Sequence, residues 1–176
     1  TGTGPAMPRP LEKAFRESYM DNFKNLVMSS WTTSQYLKYG ETSISREGNF
    51  MQREAPEMFD LNILKGEKDG LREINSIMLS ESTANALFGN DDPIGKIVEV
   101  NSQYDMMVTA VFEDIPFNTS FNDTDFLMPW DKYVSINEWI KNAEDQWGNN
   151  SFQMFVQIAD NTSMEAVTEK VKNVKK

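Results

Sequence analysis

Few residues in this chain are equipped for chemistry, and their spacing argues against most of the chemistry they could do. Gly89-Asn90-Asp91-Asp92-Pro93-Ile94-Gly95-Lys96 has the outline of a phosphate-binding loop, in which backbone amides and a lysine cradle phosphates. It places five residues between its glycines where that loop has four, and Ile97 stands where Ser or Thr would hold magnesium. Asp91 and Asp92 would also face the phosphates, so the stretch reads as a helix-to-strand turn. Asn122-Asp123-Thr124-Asp125 and Asn90 to Asp92 offer oxygen ligands for calcium, but neither has EF-hand spacing, and solvated turns account for them. Glu113-Asp114 and Glu144-Asp145 are adjacent carboxylates with no sign of a hydrolase's sugar cleft, and surface charge is their default reading. Eleven methionines raise copper binding, which needs clustered thioethers. Met78, Met106, Met128, Met154 and Met164 instead sit singly in apolar patterns, as core fillers do.

The chain has no Cys and no His, which removes thiolate nucleophiles, Ser–His pairs and imidazole ligands together. Catalysis by Asp, Glu, Lys or Tyr stays open in principle, yet no convergent set of these appears. The reading is therefore not an enzyme, with no catalytic, cofactor-binding or metal-binding residue nominated. One constellation remains: Trp130, Tyr133, Trp139 and Trp147 fall within a single short stretch. Partly exposed, they would form a partner or substrate surface. Buried, they would be the aromatic core of a small subdomain in a region poor in aliphatic residues.

Several elements must position these residues. Pro10 opens an amphipathic helix through Leu11, Phe15 and Tyr19 that should end near Asn22. Strands are expected over Leu26 to Thr32 and over Thr42 to Arg46, followed by short strands and a helical turn from Phe50 to Gly66. Ser76 to Leu79 reads as a strand running into Ser80, an N-cap, and a helix with Ala84, Leu87 and Phe88 on one face, closed by Gly89. Ile97 to Val100, a two-residue Asn101-Ser102 turn and Tyr104 to Phe112 make a hairpin, apolar enough on both faces to be central and covered. Thr124 to Met128 reads as a strand and Asp131 to Asn142 as one helix. Phe152, Met154, Val156 and Ile158 alternate with Gln153 and Gln157 as a half-buried strand. Thr162-Ser163-Met164-Glu165 is a capping box opening a helix with Met164, Val167, Val171 and Val174 inward.

The two ends thus mirror each other, helix then strand against strand then helix, like two βαβ units that have each lost an outer strand. An α+β fold follows, with a porter-like βαβ subdomain formed by both chain ends, about 1–47 and 151–176, and an inserted β-rich subdomain over about 48–150. A net charge of −10 opposes nucleic-acid binding, because lysine and arginine cluster only at the extreme C-terminus. No apolar run approaches the roughly 20 residues of a membrane helix, and no signal-peptide pattern appears. The opening Thr1-Gly2-Thr3-Gly4-Pro5 reads as the interior of a longer protein, and flanking membrane segments fit that reading.

Ile77-Met78-Leu79-Ser80-Glu81-Ser82-Thr83-Ala84-Asn85-Ala86-Leu87-Phe88-Gly89, continuing through Asp92-Pro93-Ile94-Gly95-Lys96, resembles the MacB-type periplasmic core domain of FtsX-like ABC-transporter permeases. Val108 to Ser120, with Asp114-Ile115-Pro116 and Asn118-Thr119-Ser120, is similar to the family's next strand and turn, and Pro56-Glu57-Met58-Phe59 through Leu64-Lys65-Gly66 to its Phe-rich turn. The resemblance is good over about Phe50 to Pro129, rests on pattern at the ends, and departs from the family at Ala110, where Gly is commoner. Its style resembles permeases of the Bacteroidetes group. The resemblance implies a domain between two transmembrane helices on the periplasmic (extracytoplasmic) face of the bacterial inner membrane, within an integral membrane parent of four or eight such helices. Its implied partners are a cognate cytoplasmic ATPase, a second permease copy or second half of the same chain, and an extracytoplasmic protein. The implied function is mechanotransmission, relaying ATP-driven helix motion to export or to that partner. A periplasmic module binding a small molecule or peptide is the alternative.

Overall fold

The computed structural model describes residues 5–174; Thr1 to Gly4 and Lys175-Lys176, to which the readings of the chain's edges refer, lie outside them. In chain order the elements are β1 (Met7–Pro8), α1 (Pro10–Ser18), a 3₁₀ turn (Met20–Asn22), β2 (Phe23–Ser29), β3 (Thr33–Tyr39), β4 (Thr42–Met51), α2 (Ala55–Met58), β5 (Ile63–Gly66) and β6 (Ser76–Ser80). There follow α3 (Glu81–Phe88), β7 (Ile97–Val100), β8 (Tyr104–Phe112), β9 (Phe126–Pro129), α4 (Trp130–Ile136), α5 (Glu138–Asn142), β10 (Asn150–Ile158) and α6 (Met164–Val171). The fold is α+β.

The chain ends meet in one layer. β10 pairs antiparallel with β2, from Gln153 opposite Ser29 to Ile158 opposite Phe23, and β1 adds to the outer edge of β10. α1 and α6 bury Leu11, Phe15 and Val167 against Phe23 and Leu26 of β2, with Met154, Val156 and Ile158 of β10 packed alongside. Apolar residues four apart on α1 and alternate residues on the strands face each other there, as their periods require.

Away from the ends, strand pairings close on themselves. β4 pairs with β3, β3 with β7, β7 with β8, β8 with β6, β6 with β9, and β9 returns parallel to the last four residues of β4. Closure removes free edges, and the interior fills with Leu37, Ile77, Leu79, Val98, Val108 and Phe126. α3 contributes Ala84, Leu87 and Phe88 to that interior, its N-terminus capped by the Ser80 hydroxyl, which accepts from Thr83 N at 3.3 Å. β4 leaves β3 for β9 at Gly48, where a Cβ would lie 2.3 Å from the Phe126 carbonyl oxygen; only glycine permits that approach.

Several expectations need correcting. Thr33 to Tyr39 is a strand that the sequence reading omits: it alternates exposed polar residues with intermediate ones, with Leu37 its one buried side chain, so its apolar signal is thin. The strand from Thr42 runs to Met51 because its second half gains β9 as a partner. The β7–β8 hairpin is covered on both faces only toward Phe112; Ile97 and Met107, paired across the strands, are 49% and 40% exposed. Its connection has three residues, Asn101 and Ser102 at φ of 53° and 56° and then Gln103, whose N donates to Val100 O. The helix expected over Asp131 to Asn142 breaks at extended Asn137, whose side chain donates to Tyr133 O in place of continuing the helix. α6 is capped by Ser163, which accepts from Ala166 N, so the cap lies one residue later than the Thr162 box; Met164 is 57% exposed, not inward.

Candidate functional site

The four nominated aromatics divide by depth. β9 delivers Trp130 into α4, where it is 4% exposed, edge-on to Phe152 at 5.4 Å and beside Ile140, Ala143 and Met28. Tyr133, one turn on, is half-buried, stacks on Phe50 at 4.9 Å, and has its phenol pushed above the usual range by burial. Trp139 lies flat on Phe152, at 5.4 Å and 5° between planes, with its outer face open; it is 44% exposed. Trp147 is 39% exposed in the loop before β10. Trp130 and Tyr133 are therefore core-facing, and Trp139 and Trp147 are the solvent-facing pair.

Trp31, absent from the nominated set, is a further exposed tryptophan and is tied to β10. It is 42% exposed, and its indole N–H donates to Ser151 O, next to the Phe152 on which Trp139 stacks. Sequence reasoning assigned it to the end of a strand, and nothing in its neighbours distinguishes it from a core residue. A second aromatic group was missed on the opposite side of β10. Phe155, between Gln153 and Gln157 on the face read as polar, contacts Phe59 and Phe121 with ring centroids 5.5 and 5.1 Å away. Phe59 and Phe121 border an apolar groove of about 160 Å³, and Phe117 in the adjoining loop is 92% exposed.

The remaining motifs resolve as structure. Gly89 and Gly95 sit at φ of 60° and 76°, which suits glycine, and Gly95 N is committed to Val108 O. Asp114 accepts from Ser82 N in the first turn of α3, where a carboxylate complements the helix N-terminus. Asp125 meets Arg46 at 3.8 Å and accepts from Glu47 N, yet burial, with Asp114 and Asp123 nearby, holds its pKa above the usual carboxylate range. Among the described residues no three acidic side chains converge to hold a metal ion.

One junction ties the end layer to the closed strands. The Gln52 side chain, just after β4, accepts from Met28 N at 2.9 Å and from Arg16 Nη2 at 3.1 Å, and donates to Glu12 Oε1 at 2.7 Å. Arg16 also donates to Leu26 O, so α1, β2 and β4 share one polar network.

The family model for the MacB-like periplasmic core domain matches residues 2–174. The chain belongs to that family. Solved structures share the fold of this MacB-like domain. A domain of a permease protein from Porphyromonas gingivalis superposes with TM-score 0.75 at 20% identity, covering 98% of this chain and 71% of that one. The periplasmic region of MacB from Actinobacillus actinomycetemcomitans gives 0.70 at 17%, covering 96% and 75%. The extracellular domain of the ABC-type transporter YknZ from Gram-positive bacteria gives 0.63 at 18%, covering 98% and 80%. No curated protein sequence matches the chain. This MacB-like domain is thus a periplasmic or extracellular part of an ABC-transporter permease, a transporter family and not a class of enzyme. Among the described residues no helix is long and apolar enough to cross a membrane.

Proposed function

We propose that this domain relays ATP-driven motion from the membrane part of its permease to the outside, acting as a lever without chemistry of its own. The Gln52 network carries the reading. Motion delivered to either chain end enters the layer of α1, α6, β2 and β10, and Gln52 with the backbone pair Ser30 N to Phe50 O passes it rigidly into the closed strands. Packed interiors transmit displacement because they deform little. In this reading the driver is a cognate cytoplasmic ATPase, a second permease copy or second half of the same chain stands alongside, and Trp31, Trp139 and Trp147 face an extracytoplasmic partner. Exposed tryptophans suit such a contact.

The test is a distance measurement in the full-length permease with its ATPase. A label at exposed Asp105 on the β7–β8 hairpin should move relative to one on the ATPase when ATP is added and hydrolysed, and Gln52→Leu should reduce that movement while leaving ATP hydrolysis in place. A hairpin that stays put through the ATP cycle would refute the lever.

A further inference from the structure

At the end of the closed strands away from α3, the interior opens under α4 into a cleft of about 230 Å³ floored by Phe50, Val100, Met106 and Met128. Barrel mouths are a recurrent place for small-molecule sites, and this one is below the 300–1,000 Å³ of drug-sized pockets, so it admits one ring and no oligomer. Its polar lining is unusual for this chain. Gln35, Asn101, Gln103 and Asn137 supply four carboxamides, Lys132 supplies the one charge, and no carboxylate lines it, although the protein carries 27 acidic residues.

These groups keep bonding capacity in hand. Asn101 is fixed by accepting from Tyr36 N at 2.9 Å and donating to Gln35, and Gln35 donates to Thr33 Oγ1; each amide nitrogen retains a second N–H. Asn137 donates once, to Tyr133 O, and keeps its own carbonyl. Among the described residues the Gln103 side chain and the Tyr133 hydroxyl have no hydrogen-bond partner. The Lys132 ammonium donates to Asn75 Oδ1 at 2.8 Å and lies 4.7 Å over the Tyr104 ring, which leaves donors for a ligand. Among the described residues no carboxylate forms an ion pair with it, and burial lowers its pKa.

We infer that this mouth binds a single sugar ring carrying one carboxylate. Carboxamides both donate and accept, as vicinal hydroxyls need, and the unpartnered Tyr133 hydroxyl adds a further donor and acceptor. One lysine matches one carboxylate, through a charge-assisted bond stronger than neutral ones. A phosphorylated sugar would bring about two charges to a single cation. An amino acid would bring an ammonium to a cleft with no anion. The inference stands whether or not the domain is a lever.

Glucuronate is the probe, with glucose and acetate as comparisons, titrated into the isotopically labelled domain and followed by NMR. Glucuronate should cause saturable shifts at Asn101, Lys132 and Asn137, with glucose and acetate each at least tenfold weaker. Lys132→Met should weaken glucuronate at least tenfold, and Lys132→Arg only a fewfold. Gln103→Ala, at an exposed position that leaves the fold intact, should weaken it severalfold and serves if the lysine variants unfold. Absence of saturable shifts with glucuronate, equal binding of glucose, or unchanged affinity in both Lys132→Met and Gln103→Ala would each overturn the site.

Discussion

Gly48 and Asp125 lie close together where β4 changes partner, and they act on stability in different ways. A methyl at Gly48 would press on the Phe126 carbonyl, which is backbone and cannot rotate aside. Gly48→Ala should cost at least about 1–3 kcal/mol, the range for overpacking, read from the urea midpoint. Asp125 works through charge. Its pKa is raised in the fold, so the stability it contributes is fully present below the ordinary carboxylate pKa and is lost as pH rises through the raised value. Asp125→Asn does not titrate, so wild type should lose stability relative to the variant between acidic and neutral pH. Paired denaturation curves at pH 3 and pH 7 check this; a constant gap would show that the carboxylate is not perturbed. Neither effect is visible in the sequence. Gly48 carries no motif and Asp125 reads as part of a solvated turn, because the close Phe126 carbonyl, and the burial and Asp114 charge that raise the Asp125 pKa, arise only in the fold.

Helix α4, helix α5 and strand β10 hold the aromatic set at two depths, and substitutions should separate them. Phe152 is fully buried between Trp130 and Trp139, so Phe152→Ala should cost about 3–5 kcal/mol. Trp139→Ala loses one open-faced stack, worth about 1 kcal/mol, and should leave the melting transition cooperative. Equal losses from the two, measured by denaturation, would mean that Trp139 is core and unavailable to a partner. The clustering of Trp130, Tyr133, Trp139 and Trp147 was legible in the sequence; their division was not. A helix drawn straight from Asp131 to Asn142 gives one facing direction, whereas the break at Asn137 turns α5 and lets Trp139 lie on the outside of Phe152.

Across the whole molecule, Leu11 near the start and Val167 near the end share one apolar cluster. Leu11→Ala and Val167→Ala should therefore be non-additive, with a coupling of about 0.5 kcal/mol or more in a double-mutant cycle, whereas independent ends would give a sum. That the ends would form helix-and-strand pairs followed from the sequence, since four-residue and two-residue apolar periods are local and each end carries a clean one. The Ser80 cap, the Gly89 and Gly95 turn and the family motif around them were legible for the same reason: each depends on neighbours a few residues away. The return of β9 to β4, the polar link at Gln52, the bond from Trp31 to Ser151, and the meeting of Gln35, Asn101, Lys132 and Asn137 at one mouth join residues distant along the chain. No local pattern encodes such pairings. They arise when the strands close and bring remote surfaces together, and only the tertiary structure decided them.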